Sequence, residues 1–306
     1  MMAKINAPSV ALALAIALLI VSLWQPTALL PSTTYRYVYI FDISQSMNAT
    51  DVDLSNPKLS RLEQAKSVAR ESLNALPCGS EVGVGLFTGH RAFLLLTPVE
   101  ICANVLELDG IIDNVNWQMT WKLRSEIAKG VHKSIKLLTQ MSDPTRLVFF
   151  TDGHEAPPLH PDLAPKLPDE AKTVPGIIAG VGGAELVPIP KFDKNGEQDG
   201  VWGIDEVMHV DAFTASQNAR EGTENAATGT EHLSSLKGSY LQSLADDTGL
   251  LYRQVITAQS FSSDLKHPSL GIPRVDPVNF AWILGLFALA LTVTAHLFAL
   301  PARAKS

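Results

Sequence analysis

The sequence predicts an α/β fold, a doubly wound sheet with helices on both faces, flanked by two transmembrane helices. Three observations predict it. Between residues 35 and 256 short apolar runs alternate with amphipathic stretches. Two of the runs, TRLVFF and VPGIIAG, are almost wholly apolar, the pattern of central parallel strands covered on both faces. An uncharged apolar segment also stands near each end. With 306 residues, 46% hydrophobic and 18% charged, the chain can bury one sizeable core. A net charge of −7 and the lack of any Lys/Arg block exclude the basic surface that nucleic acids require.

Taken in order, the first element is APSVALALAIALLIVSLW, read within 7–29 as a transmembrane helix or signal anchor. A cleaved signal peptide is the other reading, since PTALLPS supplies small residues, but the run exceeds the usual h-region of about 7 to 15 residues. The second span occupies 278–300, with His296 as its one ionisable residue. Lys4, Arg303 and Lys305 lie outside the spans, so the positive-inside rule places both ends in the cytoplasm and the middle in the periplasm.

YRYVYIFDI is a β-branched and aromatic strand. PKLSRLEQAKSVARESLNALP carries Leu59, Leu62, Ala65, Ala69, Leu73 and Leu76 at helical spacing between Pro57 and Pro77. Val82–Thr88 and Ala92–Thr97 read as an antiparallel hairpin across GHR, which would bring Cys78 and Cys102 close; a disulfide and two buried thiols both remain open. NVLELDGIIDNV is a helix, and SEIAKGVHKSIKLLTQM another, with Ile127, Val131, Ile135 and Leu138 on one face. SYLQSLADDTGLLYRQVI is a helix stopped by Gly249 and followed by a strand.

The domain then spans 34–256, with 154–172 proline-rich, an insertion at 188–235 too long for an ordinary connection, and a tether at 257–277. Asp193, Asn195 and Asp199 lack the spacing and closing glutamate of a calcium loop and read as a hairpin turn.

The chemistry concentrates where strands end. Asp42, Ser44 and Ser46 follow the first strand, and Asp152 follows TRLVFFT, so their oxygens project from one rim of the sheet. Alternate residues of an extended stretch point the same way, which aims one carboxylate and two hydroxyls at one point. Such oxygens suit a hard divalent ion. The order of strand, D-x-S-x-S, a hydroxyl at a later helix start and strand-Thr-Asp-Gly resembles a von Willebrand factor A (vWA) domain, a Rossmann-like fold with a metal-ion-dependent adhesion site (MIDAS).

By that resemblance Asp42, Ser44, Ser46 and Asp152 are metal-site residues. The family's middle ligand, usually a threonine, falls on Ser125 in RSEIAKGV, with Thr120 as the alternative. Read from the residues alone, Ser125 is an N-cap for the helix it precedes. His154 and Glu155 are either partner contacts or solvated side chains.

PIPKFDKNG, LQSLADDTGLLY and the two flanking spans resemble bacterial membrane-bound vWA proteins that accompany MoxR-type ATPases. SRLEQAK, LPCGS, TDGHEAPPL and EHLSSL resemble the MxaL-like accessory proteins of methanol dehydrogenase. The resemblance implies an inner-membrane protein whose vWA domain faces the periplasm. It also implies Mg²⁺ as the bound ion, with Ca²⁺ or Mn²⁺ as alternatives, and a partner protein that offers the ion an Asp or Glu. That partner would be methanol dehydrogenase or one of its assembly factors, in maturation or calcium insertion; a MoxR-type ATPase complex is the runner-up.

No G-x-S-x-G, H-E-x-x-H, C-x-x-C or phosphate-binding glycine loop occurs. The expectation is a protein that is not an enzyme, metal-assisted hydrolysis being the weaker reading.

Overall fold

The computed structural model describes residues 7–51, 59–120, 122, 124–160, 174–193, 195–222 and 229–303, with side chains described to residue 297. It divides into two compact units, one of residues 34–272 and one formed by the two ends, up to 33 and from 273.

In the unit of the two ends, helix α1 (Ala7–Leu23) leads into strand β1 (Thr27–Thr34), which pairs with β12 (Ile272–Asn279), and helix α8 (Ala281–Arg303) follows. Among the described residues no helix is long and apolar enough to cross a membrane. The first expected span, 7–29, stops at residue 23 because Gln25 takes a positive φ of 46° and Pro26 cannot continue a helix. At 17 residues it reaches about 26 Å, short of a hydrocarbon core of about 30 Å.

The larger unit holds strands β2 (Arg36–Asp42), β3 (Glu81–Thr88), β4 (Arg91–Glu100), β5 (Arg146–Thr151), β6 (Gly176–Gly180) and β11 (Leu251–Gln254) in the order β11-β6-β5-β2-β3-β4. Only β4, at one edge, is antiparallel to its neighbour. From β2 the chain builds outward through β3 and β4, then returns to β2's other side with β5, β6 and β11. The reversal leaves a switch point between β2 and β5, where ligands gather in open α/β sheets.

The period of two decides which residues meet which helices. Tyr37, Tyr39 and Phe41 of β2 pack with helices α2 (Arg61–Leu73), α3 (Val105–Asn114) and α7 (Ala258–Leu265). Val38 and Ile40 pack on the opposite face with α4 (Ile127–Thr139) and α6 (Gly238–Thr248).

The tether expected at 257–277 is not one. Residues 257–272 belong to the larger unit, and Phe261, Leu265 and Leu270 are buried in its core. Each contributes roughly 1.5–3 kcal/mol by leaving water. The domain therefore extends past 256, and the reason is the apolar spacing of α7.

Within the insertion, β7 (Val187–Pro188) pairs with β10 (Leu233–Ser234), β8 (Pro190–Phe192) with β9 (Gln198–Val201), and α5 spans Ala212–Glu221. Asp193 accepts the N–H groups of Asn195 and Glu197 at 2.8 and 2.9 Å, closing the β8–β9 hairpin, while Asp199 lies in β9. Cys78 and Cys102 are joined by a disulfide, their Cα atoms 5.4 Å apart. Glu81, opening β3, pairs with Glu100, closing β4, which sets the cysteines face to face. Closing a loop of this size contributes about 3 kcal/mol in the chain-entropy account.

Candidate metal centre

The two strands that flank the switch point end in the same local device. Asp42 closes β2 and accepts the N–H of Ser44 at 2.9 Å; Asp152, just past β5, accepts the N–H of His154 at 2.9 Å. A carboxylate that binds the backbone two residues on makes an Asx-turn, which lifts the chain off the sheet and turns the next side chains over the rim. Gly153 makes the second turn possible. Its φ is +80°, and a Cβ there would meet Leu241 at 2.9 Å.

Both carboxylates are fully buried, and the hydroxyls stand in front of them. Ser44 Oγ lies 3.2 Å from Ser46 Oγ, and Ser46 Oγ donates to Asp152 Oδ1 at 3.1 Å. Thr151 Oγ1 donates to Asp42 Oδ2 at 2.7 Å. Ser44, Ser46 and Ser125 line one cavity of about 240 Å³, which neither aspartate lines.

Ser125 arrives from the other side. Its backbone is clamped to Ala156 by reciprocal bonds of 2.8 and 2.7 Å, and Glu126 N–H reaches Gly89 at 2.7 Å. Ser125 is 1% exposed, and its buried hydroxyl has no hydrogen-bond partner among the described residues. An N-cap role does not hold: Glu126 occupies the cap position of α4, and the first N–H groups of that helix go elsewhere. They go to Glu155, whose carboxylate accepts from Ile127 and Ala128 at 2.9 and 2.8 Å and from the Tyr240 hydroxyl. Glu155 thus faces inward as the cap of α4 and is not placed as a partner contact. Thr120, the alternative to Ser125, bonds to Thr88 and to the Lys122 carbonyl and does not line the cavity.

The sequence reading missed Arg61. Its guanidinium, wholly buried, binds Asp152 Oδ2, both oxygens of Asp51, and the hydroxyl and carbonyl of Ser234. The chain approaches it at Gly182, with φ +116°, where a Cβ would come within 2.6 Å of Arg61 Nε. Nothing in SRLEQAK marks this arginine as different from any polar residue at a helix start.

The charges sort the two aspartates. Burial, and next the neighbouring charge of Asp152, push the Asp42 carboxyl up to about 7. Burial acts most strongly on Asp152 and would raise it, but the charges of Arg61 and His154 and the hydrogen bonds from the His154 N–H and Ser46 together hold that carboxyl below its ordinary range. Burial lowers His154, which lines the cavity with its Nδ1 buried and unpartnered among the described residues.

The donor set fits a divalent cation: it is all oxygen, it converges, and it includes a buried hydroxyl awaiting a partner. Among the described residues the one group of three His, Cys, Asp or Glu side chains close enough to share an ion is Cys78, Glu100 and Cys102, and there the two sulfurs are bonded to each other.

The protein is thus a doubly wound α/β domain with hydroxyls and carboxylates gathered at its switch point. Residues 37–154 match the von Willebrand factor type A domain. A UPF0353 protein of Mycobacterium leprae is 24% identical over 247 residues, covering 77% of this chain and 68% of that protein. A UPF0353 protein of Mycobacterium tuberculosis is 25% identical over 171 residues, covering 51% of this chain and 46% of its own length.

Among solved structures, an aerotolerance-related membrane protein from Bacteroides fragilis is 17% identical with a TM-score of 0.49. BatB from Bacteroides thetaiotaomicron is 19% identical, also at 0.49. Each comparison covers 75% of this chain and 96% of that one.

Proposed function

We propose that this chain is a membrane-tethered interaction module, not an enzyme, whose vWA domain holds a divalent cation at a metal-ion-dependent adhesion site. Ser44, Ser46 and Ser125 would hold the ion directly, with Asp42 and Asp152 behind them, directly or through water. Mg²⁺ suits this set best, because it keeps several waters and needs few protein carboxylates. Bound there, the ion supplies positive charge to a partner's Asp or Glu. The observation that carries the reading is the convergence of three hydroxyls on one cavity, one of them unpartnered, in front of two buried carboxylates.

Calorimetry with Mg²⁺ tests it. Binding that Asp42→Asn abolishes, with circular dichroism unchanged, is the expected result; equal affinity in the variant refutes the assignment.

Tethering rests on the two apolar end helices, α1 and α8, which pack together in their own unit. Reporters fused after Thr33 and before Val275 should register the periplasm, and cytoplasmic signals at both would refute the topology. The partner reading, methanol dehydrogenase in maturation or calcium insertion, rests on the sequence resemblance, and the relatives found carry other names. In a methylotrophic host, loss of this protein should leave that enzyme present but poorly active. Full activity at limiting calcium would remove this role and leave a MoxR-type ATPase complex as the partner.

A further inference from the structure

The cavity over the serines has a roof that the metal reading does not use. Ile189, Trp202, Val207 and Met208 of the insertion line it together with Ser44, Ser46 and Ser125. The roof is braced: Trp202 N–H bonds the Ile189 carbonyl at 3.0 Å, Lys191 Nζ stands 5.0 Å over the Trp202 ring and pairs with Glu206, and Phe192 stacks on Trp117 at 4.5 Å. A cavity of about 240 Å³ equals the bulk volume of about eight waters, room for one or two side chains and not for a folded surface.

Two polar atoms at its wall have no partner among the described residues besides Ser125 Oγ. Trp202 Nε1 is a donor only, and it is buried; His154 Nδ1 is buried on a side chain 4% exposed. A buried indole N–H without an acceptor is costly, so it points to an acceptor brought by a ligand.

The wall carries charge of both signs. Arg124 adds a cation, Glu206 is engaged by Lys191 and the Gly203 N–H, and Glu231 lies close enough to His154 to interact with it electrostatically. Outside, Leu186 just before the insertion and Val201, Ile204 and Phe213 within it are exposed apolar side chains.

We infer that this cavity is a receptor for one acidic residue of a partner protein that carries a bulky apolar residue beside it in sequence. The acid enters toward the serines and accepts from the Trp202 indole, and its apolar neighbour lies along Ile189, Val207 and Met208. The inference rests on the metal reading for the charge that draws the carboxylate in. Trp202 and the roof then decide which acid is accepted.

The test uses the full chain, saturating Mg²⁺ and three capped peptides: acetyl-Leu-Asp-Phe-amide, acetyl-Gly-Asp-Gly-amide and acetyl-Leu-Asn-Phe-amide. Burial of one apolar side chain predicts that the first binds at least about tenfold more tightly than the second. The third should not bind measurably. Trp202→Phe, which removes the N–H and keeps an aromatic ring, should weaken the first peptide about three- to tenfold while Mg²⁺ affinity is unchanged.

Equal binding of the first two peptides, or of the Asp and Asn peptides, overturns the inference, as does an unaffected Trp202→Phe variant. Free hexanoate binding as tightly as the first peptide also overturns it, in favour of a small acid. Failure to bind Mg²⁺ itself is a separate result and removes the metal reading beneath it.

Discussion

On the α2 side of the switch point Asp152 has both oxygens engaged, by Ser46 and His154 N–H on one and Arg61 and Ser234 on the other. On the α4 side the Ser125 hydroxyl, as deeply buried, has no partner among the described residues. The difference separates what the fold completes alone from what it leaves to a ligand. Arg61 supplies the positive charge that Asp152 needs in the low-dielectric interior, so that side is set in the absence of an ion. Among the described residues Asp42 has no such cation, and its carboxyl rises toward neutrality.

The largest way to break this contrast is at Arg61. Arg61→Met strands Asp152 and Asp51 without their cation, and chemical unfolding should show a loss of about 3–5 kcal/mol. A loss below about 1 kcal/mol would mean that the closed side is not held by this ion pair.

A smaller effect follows from Asp42. Its carboxyl is raised from 3.8 to about 7, so the metal-free fold binds the extra proton across that window. Its stabilising contribution is therefore full below about pH 4 and is lost as pH rises through about 7. A cation that needs the ionised form should bind about tenfold more weakly, about 1.4 kcal/mol, for each pH unit below about 7. Titration of Mg²⁺ affinity against pH, with proton release followed in two buffers, checks this. An affinity flat between pH 5 and 8 would show that Asp42 is not coupled to the ion.

The smallest expected effect sharpens the contrast most. Ser125→Ala removes a hydroxyl with no partner among the described residues, so thermal unfolding without metal should move by less than about 1 kcal/mol, while Mg²⁺ affinity falls at least about tenfold. A large loss of stability with unchanged affinity would make Ser125 a structural residue.

Legibility followed the range of the interaction. The D-x-S-x-S run and the Thr-Asp-Gly at the end of β5 were readable because strand periodicity and Asx-turns are local. The hairpin that joins Cys78 to Cys102 was readable as a juxtaposition, though not the bond itself. Glu155 shows the opposite case: it follows Asp152 by three residues and yet caps a helix that begins 28 residues earlier.

Sequence by itself determined the alternation of strands and helices, the two apolar ends and the rim on which the oxygens gather, because each depends on a period of 2 or 3.6 residues along the chain. Only the tertiary structure decided that α7 belongs to the core, that Arg61 neutralises Asp152 from 91 residues away, and that Trp202 roofs the serines. Those contacts join segments with no periodic relation. Their energy comes from charge and surface withdrawn from water, which a chain acquires only once its distant parts have packed together.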